Sequence, residues 1–256
     1  MVDIDRIQAQ LRAAVRLSHE VVTAPPFTCF FNPDSDAAYA NIAIPDEAAS
    51  DAFDAGLAAV EREFRARGRR PSLEYLEPYA PSLAACLEAR GYECAVRSLL
   101  MVCTPEMLAA PRMPAGFTVE AINDATPLET IQDLMTVQAR AFGDEASPRT
   151  TAEDAAQFRR RFAALRLFAG RLDGVIVSAA SLTAPYEGVA EVAGVATAPG
   201  FRRRGFAGAL TYAATAAAFD QGVSQAFLTA ANEAAGRVYA KVGYHATGSG
   251  LAYRLE

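Results

Sequence analysis

The chain has only two histidines, His19 and His245, and four cysteines, Cys29, Cys86, Cys94 and Cys103, none spaced as a CxxC pair. Protein metal sites draw on clusters of such residues, so no metal is expected. All four cysteines precede residue 104, which leaves the carboxy-terminal region without a thiol nucleophile. No apolar run approaches the ~20 residues that span a bilayer, and the opening MVDIDRIQAQ lacks a basic stretch leading into an apolar block. A cytosolic protein without a membrane partner is the expectation. A surplus of basic residues is missing too. The net charge is −6; residues 1–116 carry 16 acidic and 11 basic side chains, and residues 117–256 carry 14 and 13. Nucleic-acid binding rests on clustered Lys and Arg, so nucleic acid is not an expected partner.

What the chain does have is a core. At 256 residues and 52% apolar content it fits one large domain or two small ones. Its most informative stretch is Val195–Leu210, VATAPGFRRRGFAGAL: the end of a strand, a Pro-Gly break, an arginine and glycine turn, then an alanine-rich helix. A strand turning directly into a helix leaves the first helical N–H groups unpaired, and the helix dipole favours an anion there. Gly205 admits close approach of a ligand, Ala207 keeps the approach uncluttered, and Arg202, Arg203 and Arg204 add positive charge. A basic run is commonly solvated surface; this one adjoins a glycine at a helix start. The turn is suited to a pyrophosphate.

Spacing separates three kinds of phosphate cradle. A Walker loop needs Lys and Ser or Thr after its last glycine, but Phe206 and Ala207 follow Gly205. A dinucleotide fingerprint needs GxGxxG early in a βαβ unit, which is absent here. What stands is RxxGxA, Arg202 to Ala207, and 22 residues after Leu210 comes NEAAGRVYAKVGY, Asn232 to Tyr244. In both segments the chain resembles the GNAT superfamily of acyl-CoA-dependent N-acetyltransferases, whose loop reads Q/RxxGxG/A and whose later helix follows NxxAxxxYxxxGF. Asn232, Ala235, Tyr239, Gly243 and Tyr244 meet the second pattern. The resemblance covers residues 117–256. It implies a GNAT acyltransferase fold, a mixed α/β, mostly antiparallel sheet flanked by helices.

A pass along this region supplies elements in the order that fold needs. Strands are predicted at Phe117–Ile122, Arg166–Arg171, Val175–Thr183, Val189–Ala198 and Gln225–Ala230, with Asp173-Gly174 as a hairpin turn. Helices are predicted at Pro127–Phe142, Thr151–Leu165, 206–221 and 232–242, and a last strand or hairpin at His245–Leu255.

The resemblance implies acetyl-CoA as the acyl donor, passed directly to an amine of a small molecule or peptide in a ternary complex. The donor would be held by Val195, Ala196 and Thr197, by Arg202, Arg203, Arg204, Gly205, Phe206, Ala207 and Gly208, and by Asn232, Ala235 and Tyr239. Aminolysis of a thioester needs a base for the amine, a polarised carbonyl and a proton for the departing thiolate. Glu191 stands where many family members carry a glutamate acting as the base; it is equally a solvent-facing strand residue. Tyr239 matches the tyrosine that serves the CoA sulfur, and it also fits an apolar stripe with Val238 and Val242. Asn232 is an N-cap, a contact for the pantetheine arm, or both. Gly194 is the expected site of the β-bulge that admits that arm. Asp144 and Glu145 fall on the loop where family members often line the acceptor pocket; solvated loop acids are the plainer reading. The alternative function is an acyl-CoA-binding regulatory or scaffold protein without turnover.

The first 116 residues hold an internal repeat: strand, Pro, helix, strand, helix, GY, strand. Pro45 to Gly91 spans 46 residues and Pro199 to Gly243 spans 44. Aligned on the prolines, Asp46, Glu47 and Asp51 stand in place of Gly200, Phe201 and Gly205, and acids at a helix start repel phosphate. Aligned on the glycines, Ala80 and Leu87 replace Asn232 and Tyr239. With one helix, Ile4–Val22, and one strand, Phe27–Phe31, ahead of it, this is expected to be a degenerate, truncated GNAT-like domain that does not bind CoA. The expected division is 1–104, a proline-bearing linker 105–116, and a catalytic domain 117–256, in a monomer or homodimer.

Overall fold

The computed structural model describes residues 2–49, 51–143 and 145–256. They form two compact units: Met1–Leu100 with Thr229–Asn232 and Ala246–Glu256, and Met101–Leu228 with Glu233–His245. As a division of the chain, 1–104, 105–116 and 117–256 stays a proposal.

The first unit opens with helix α1, Ile4–Arg16, capped by Asp3, whose side chain accepts the Arg6 N–H at 3.1 Å. The expected continuation to Val22 is corrected: Glu20–Ala24 is strand β1. Val21, Val22 and Thr23 are β-branched and Ala24 precedes proline, which disfavours the helix. Strand β2, Phe27–Phe31, is buried throughout and pairs antiparallel with β1. Strand β3, Ile42–Pro45, pairs antiparallel with β2, and β4, Ser72–Leu76, follows helix α2, Phe53–Ala66, and runs parallel to β3. Helix α3, Leu83–Ala89, leads to β5, Glu93–Cys103. The last strand of the chain, β11, His245–Arg254, pairs antiparallel with β4. It is a single strand with no hairpin.

The second unit contains β6, Phe117–Ala121, then helices α4, Leu128–Phe142, and α5, Ala152–Arg161. Helix α5 starts where Thr151 accepts the Asp154 N–H and stops four residues short of the expected Leu165, after three arginines that suit a helix carboxy terminus. Strands β7, Arg166–Leu172, and β8, Val175–Leu182, form a hairpin in which Asp173 and Gly174 both have positive φ, 49° and 86°. Strand β9, Val189–Thr197, pairs antiparallel with β8, and β6 pairs antiparallel with β7. Helix α6, Phe206–Phe219, ends in a Schellman turn, with the Val223 N–H on Ala218 O and Gly222 at φ 83°. Strand β10, Gln225–Ala230, lies parallel to β9, and helix α7, Glu233–Ala240, closes on Gly243 in the same way, the Tyr244 N–H reaching Tyr239 O.

This is a mixed, mostly antiparallel α/β architecture. The order β1-β2-β3-α2-β4-α3-β5 in the first unit repeats β7-β8-β9-α6-β10-α7-β11, down to a parallel pair after two antiparallel ones. Two strands, β1 and β2, precede the repeated core, where one was expected. In the second unit α6 buries Leu210 and Ala214 with Leu182 and Val192 on one face, and α4 buries Leu134 and Val137 with Ala179 and Ala196 on the other. That sandwich packs β9 on both faces, and β9 carries the candidate site.

Candidate functional site

Strand β9 is regular only in its first part. Val189, Ala190 and Glu191 pair with Gln225, Ala226 and Phe227 of β10, and among the described residues the β9–β10 pairing goes no further. On the other edge Ser181 pairs with Ala193 and Ala179 with Ala196, so Gly194 and Val195 together oppose Ala180. This is the expected β-bulge, at the expected residue. Gly194 has φ 61°, and its carbonyl accepts the side-chain amide of Gln138 on α4 at 2.9 Å. Ser178 pins the stretch beyond, its hydroxyl donating to Ala196 O at 2.6 Å and lying 3.1 Å from Thr197 Oγ1. A strand that parts from its neighbour at a bulge exposes backbone N–H and C=O groups to an extended, amide-bearing ligand.

Glu191 is half-buried. Ala190 and Val192 point into the α6-side core, so alternation puts Glu191 on the α4 face. Its backbone is fixed by Thr183, which accepts the Glu191 N–H at 2.8 Å and donates its own N–H to Glu191 O at 2.9 Å.

The turn after β9 has the geometry of an anion cradle. A short 3-10 turn at Pro199–Phe201 leads through extended Arg202 to Arg203 at φ 63° and Gly205 at φ 88°, which occupies the N-cap of α6. The first hydrogen bond of the helix runs from the Ala209 N–H to Gly205 O at 3.1 Å. The amides of Phe206, Ala207 and Gly208 therefore have no acceptor within the helix and converge beyond its start.

The three arginines divide their work. Arg202 braces the turn, donating to Thr197 O at 3.3 Å and to Ala141 O, at the end of α4, at 3.1 Å. Arg204 lies over the rings of Phe201 and Phe206, at 5.8 and 5.1 Å. Arg203 is exposed, with no ion pair among the described residues. Phe206 contributes only its backbone, because its ring is buried and stacked on Phe117 at 4.5 Å. Gly208 faces α7 and the turn after it: a Cβ there would make ordinary van der Waals contact with Val238 at 3.7 Å and Val242 at 3.8 Å.

Tyr239, on α7, is half-buried and meets the ring of Tyr244 edge-on at 6.4 Å. Tyr244 is buried and shares a 2.6 Å hydrogen bond with Thr215. The Tyr239 hydroxyl has no such partner among the described residues, and burial pushes its pKa above the ordinary tyrosine value. Ala235 is half-buried on the same helix, and Asn232 is exposed in the position before it. Cys103 is buried, its thiol pushed up to about 11, chiefly by desolvation, so it offers no thiolate at neutral pH. No group of three or more His, Cys, Asp or Glu able to hold a metal occurs among the described residues. Glu145 is exposed on the loop after α4, and Asp144 lies outside the described residues.

Sequence spacing placed Gly205 at a helix start, the bulge at Gly194 and Tyr239 on its helix, as the structure has them. It missed Gln138, Ser178 and the Arg202 contact to Ala141, because a glutamine on a helix and a carbonyl 61 residues away carry no local signal.

A mixed sheet whose parallel pair stops pairing just before a bulge, leading into a glycine-capped helix start, sets the architecture of the second unit. Residues 129–244 match the model of the acetyltransferase (GNAT) family, and the carboxy-terminal half of the chain belongs to that family. A GCN5-related N-acetyltransferase from Kribbella flavida is 27% identical, with a TM-score of 0.81 over 99% of this chain and 96% of that one. One from Sphaerobacter thermophilus is 17% identical, with a TM-score of 0.64 over 98% and 90%. A tandem GNAT protein from the clavulanic acid biosynthesis pathway, 14% identical, has a TM-score of 0.64 over 90% and 78%. The last two share the fold, and they share it across both units. No curated protein sequence matches the chain. No helix of the described residues is long and apolar enough to cross a membrane.

Proposed function

We propose that the second unit moves an acetyl or similar acyl group directly from acetyl-CoA to an amine of a small molecule or peptide. The observation that carries this reading is the loss of β10 pairing after Glu191, immediately before the Gly194 bulge and the Gly205 cradle. Bound acyl-CoA supplies an activated thioester. The residues present suit it: a side chain at Gly205 or Gly194 would be strained, and neither carries one.

In this reading the amides of Phe206, Ala207 and Gly208 and the α6 dipole hold the pyrophosphate, with Arg203 beside them. The parted edge of β9, Val195 to Thr197, hydrogen-bonds the pantetheine arm and polarises the thioester carbonyl. Asn232 and Ala235 flank that arm at the start of α7. Glu191 accepts the proton of the amine, directly or through water. The Tyr239 hydroxyl, kept protonated by burial, gives a hydrogen bond or proton to the sulfur, whose thiol has a pKa of ~8.5. With no cysteine after residue 103, the route has no acyl-enzyme stage on sulfur.

Thermal unfolding with acetyl-CoA, CoA, NAD and ATP in separate wells tests the donor. A ligand at a hundredfold excess over its Kd adds ~2.7 kcal/mol and shifts Tm by roughly 2–4 °C. A shift with acetyl-CoA and CoA alone supports the proposal; no shift with either refutes it.

A further inference from the structure

The proline-bearing segment before β6 does more than join two halves. It is strapped to the second unit at two points, and both belong to the donor-site helices. At the end of α7, the Ala109 N–H donates to Val242 O at 2.9 Å, and Met107 O presses so closely on Gly243 that a Cβ there would collide with it. At the start of α6, Pro114 Cγ lies 3.5 Å from where a Cβ on Gly205 would stand. Pro114 is itself held by the Phe117 N–H at 3.2 Å, and Phe117 stacks on Phe206, the first residue of the cradle helix. The stretch between the two anchors, Ala110 to Met113, forms a bow on which Ala110, Arg112 and Met113 are exposed.

Pro111 and Pro114 stiffen the bow. On it Arg112 is exposed and has no ion pair or hydrogen bond among the described residues. Met113 beside it is 49% exposed. Of the other exposed arginines of the second unit, Arg149 pairs with Asp133 and Glu129 and Arg202 braces the turn, whereas Arg203 at the cradle shares with Arg112 the lack of an ion pair among the described residues. A free guanidinium held within two residues of the cradle's N-cap contact is placed to meet a second phosphate, one carried by the same ligand but outside the pyrophosphate position.

We infer that Arg112 binds the 3′-phosphate of the donor's nucleotide, so that the strap between the two repeats completes the CoA site. This rests on the acyl-CoA reading above. A charge-assisted bond from one guanidinium to one phosphate corresponds to roughly a tenfold difference in affinity.

The test is calorimetric titration of the full chain with CoA, with 3′-dephospho-CoA and with inorganic phosphate, for the native protein, Arg112→Ala and Arg112→Lys. The native protein is expected to prefer CoA over 3′-dephospho-CoA by about tenfold. Arg112→Ala is expected to bind the two equally, at the native affinity for the dephospho form, with Arg112→Lys in between. Inorganic phosphate alone is expected to show no Arg112-dependent binding; if it does, the residue is a free-anion site and the inference falls. It falls equally if the native protein does not discriminate, or if Arg112→Ala weakens both ligands alike. Failure of the native protein to bind either CoA form overturns the acyl-CoA reading itself, and with it this one.

Discussion

Gln138 donates its side-chain amide to the carbonyl of Gly194 at 2.9 Å, tying helix α4 to the one residue at which strand β9 changes course. Gly194 has φ 61°, and a Cβ on it would stand 2.6 Å from Gln138 Nε2. The bulge therefore depends on glycine for its backbone and on glutamine for its position. Gly194→Val should cost ~1–3 kcal/mol in denaturant unfolding, from positive-φ strain and displacement of Gln138. Gln138→Ala should cost only about 1 kcal/mol, the worth of one hydrogen bond, yet weaken CoA binding. Unchanged CoA affinity in Gln138→Ala would mean the bulge holds its own shape.

Gly205→Asp places a carboxylate at the N-cap of α6. The Asp side chain satisfies the helix dipole and opposes phosphate, while φ 88° adds backbone strain. CoA affinity is expected to fall by tenfold or more, roughly 1.4 kcal/mol or above. Equilibrium titration measures it, with circular dichroism as the check on folding. Turnover that survives both this change and Tyr239→Phe would argue that the second unit uses neither residue for transfer.

Burial raises the Tyr239 pKa above the tyrosine value of ~10, so the phenol stays protonated throughout the neutral range. A group that must be protonated to act limits the rate on the alkaline side. The kcat profile should therefore stay level through pH 9 as far as this group is concerned and fall above its pKa. Tyr239→Phe should lower kcat by ~10²-fold or more and abolish that alkaline limb. A limb that persists unchanged in the variant belongs to another group.

Glu74 on β4 stands opposite Ala252 on β11, and desolvation pushes its carboxyl up to about 7, against the opposing pull of Arg254. The unfolded chain releases that proton near pH 4.5, whereas the folded chain holds it until about pH 7. Between those values the folded state binds more protons, so stability from this group is full below pH 4.5 and is lost as pH rises through 7. Glu74 keeps some solvent contact, so the loss is about 2 kcal/mol or less. Urea unfolding at pH 5 and pH 8 should show the drop in the native protein and little of it in Glu74→Gln.

How much of this could be read from the chain depends on the reach of each interaction. The cradle and α7 were legible because one turn of backbone imposes Gly205 and one helix imposes the spacing of Ala235, Tyr239 and Gly243. The bulge was legible as a glycine inside a strand. The end of α1 was misplaced because its amphipathic spacing runs on into Val21 and Val22, where β-branching and pairing with Cys29 and Phe30 decide otherwise. The seating of β11 against β4 was not legible at all, since a strand pairing across about 180 residues leaves no mark on its neighbours in sequence.

The first unit repeats the order of elements and has closed the slot that the second keeps open. Its parallel pair, β3 and β4, matches β9 and β10, with a single register pair, Ala43 with Leu73. The edge beyond is filled by the chain itself: Gln8, fully buried on α1, accepts the Leu76 N–H at 3.0 Å. Where the second unit has its cradle, the first has Asp46, whose two carboxylate oxygens each lie 3.0 Å from Thr28 Oγ1, with Arg12 at 3.7 Å and the Tyr79 hydroxyl on its carbonyl. If the second unit holds CoA as proposed, an internal carboxylate stands in the first unit where the phosphate would lie, and an internal amide occupies the matching strand edge. One CoA per chain is therefore expected by calorimetry, with Asp46→Asn leaving both stoichiometry and affinity unchanged while Gly205→Asp weakens the single site. A stoichiometry of two, or loss of CoA binding in Asp46→Asn with the fold intact, would show that the first unit has kept a donor site of its own.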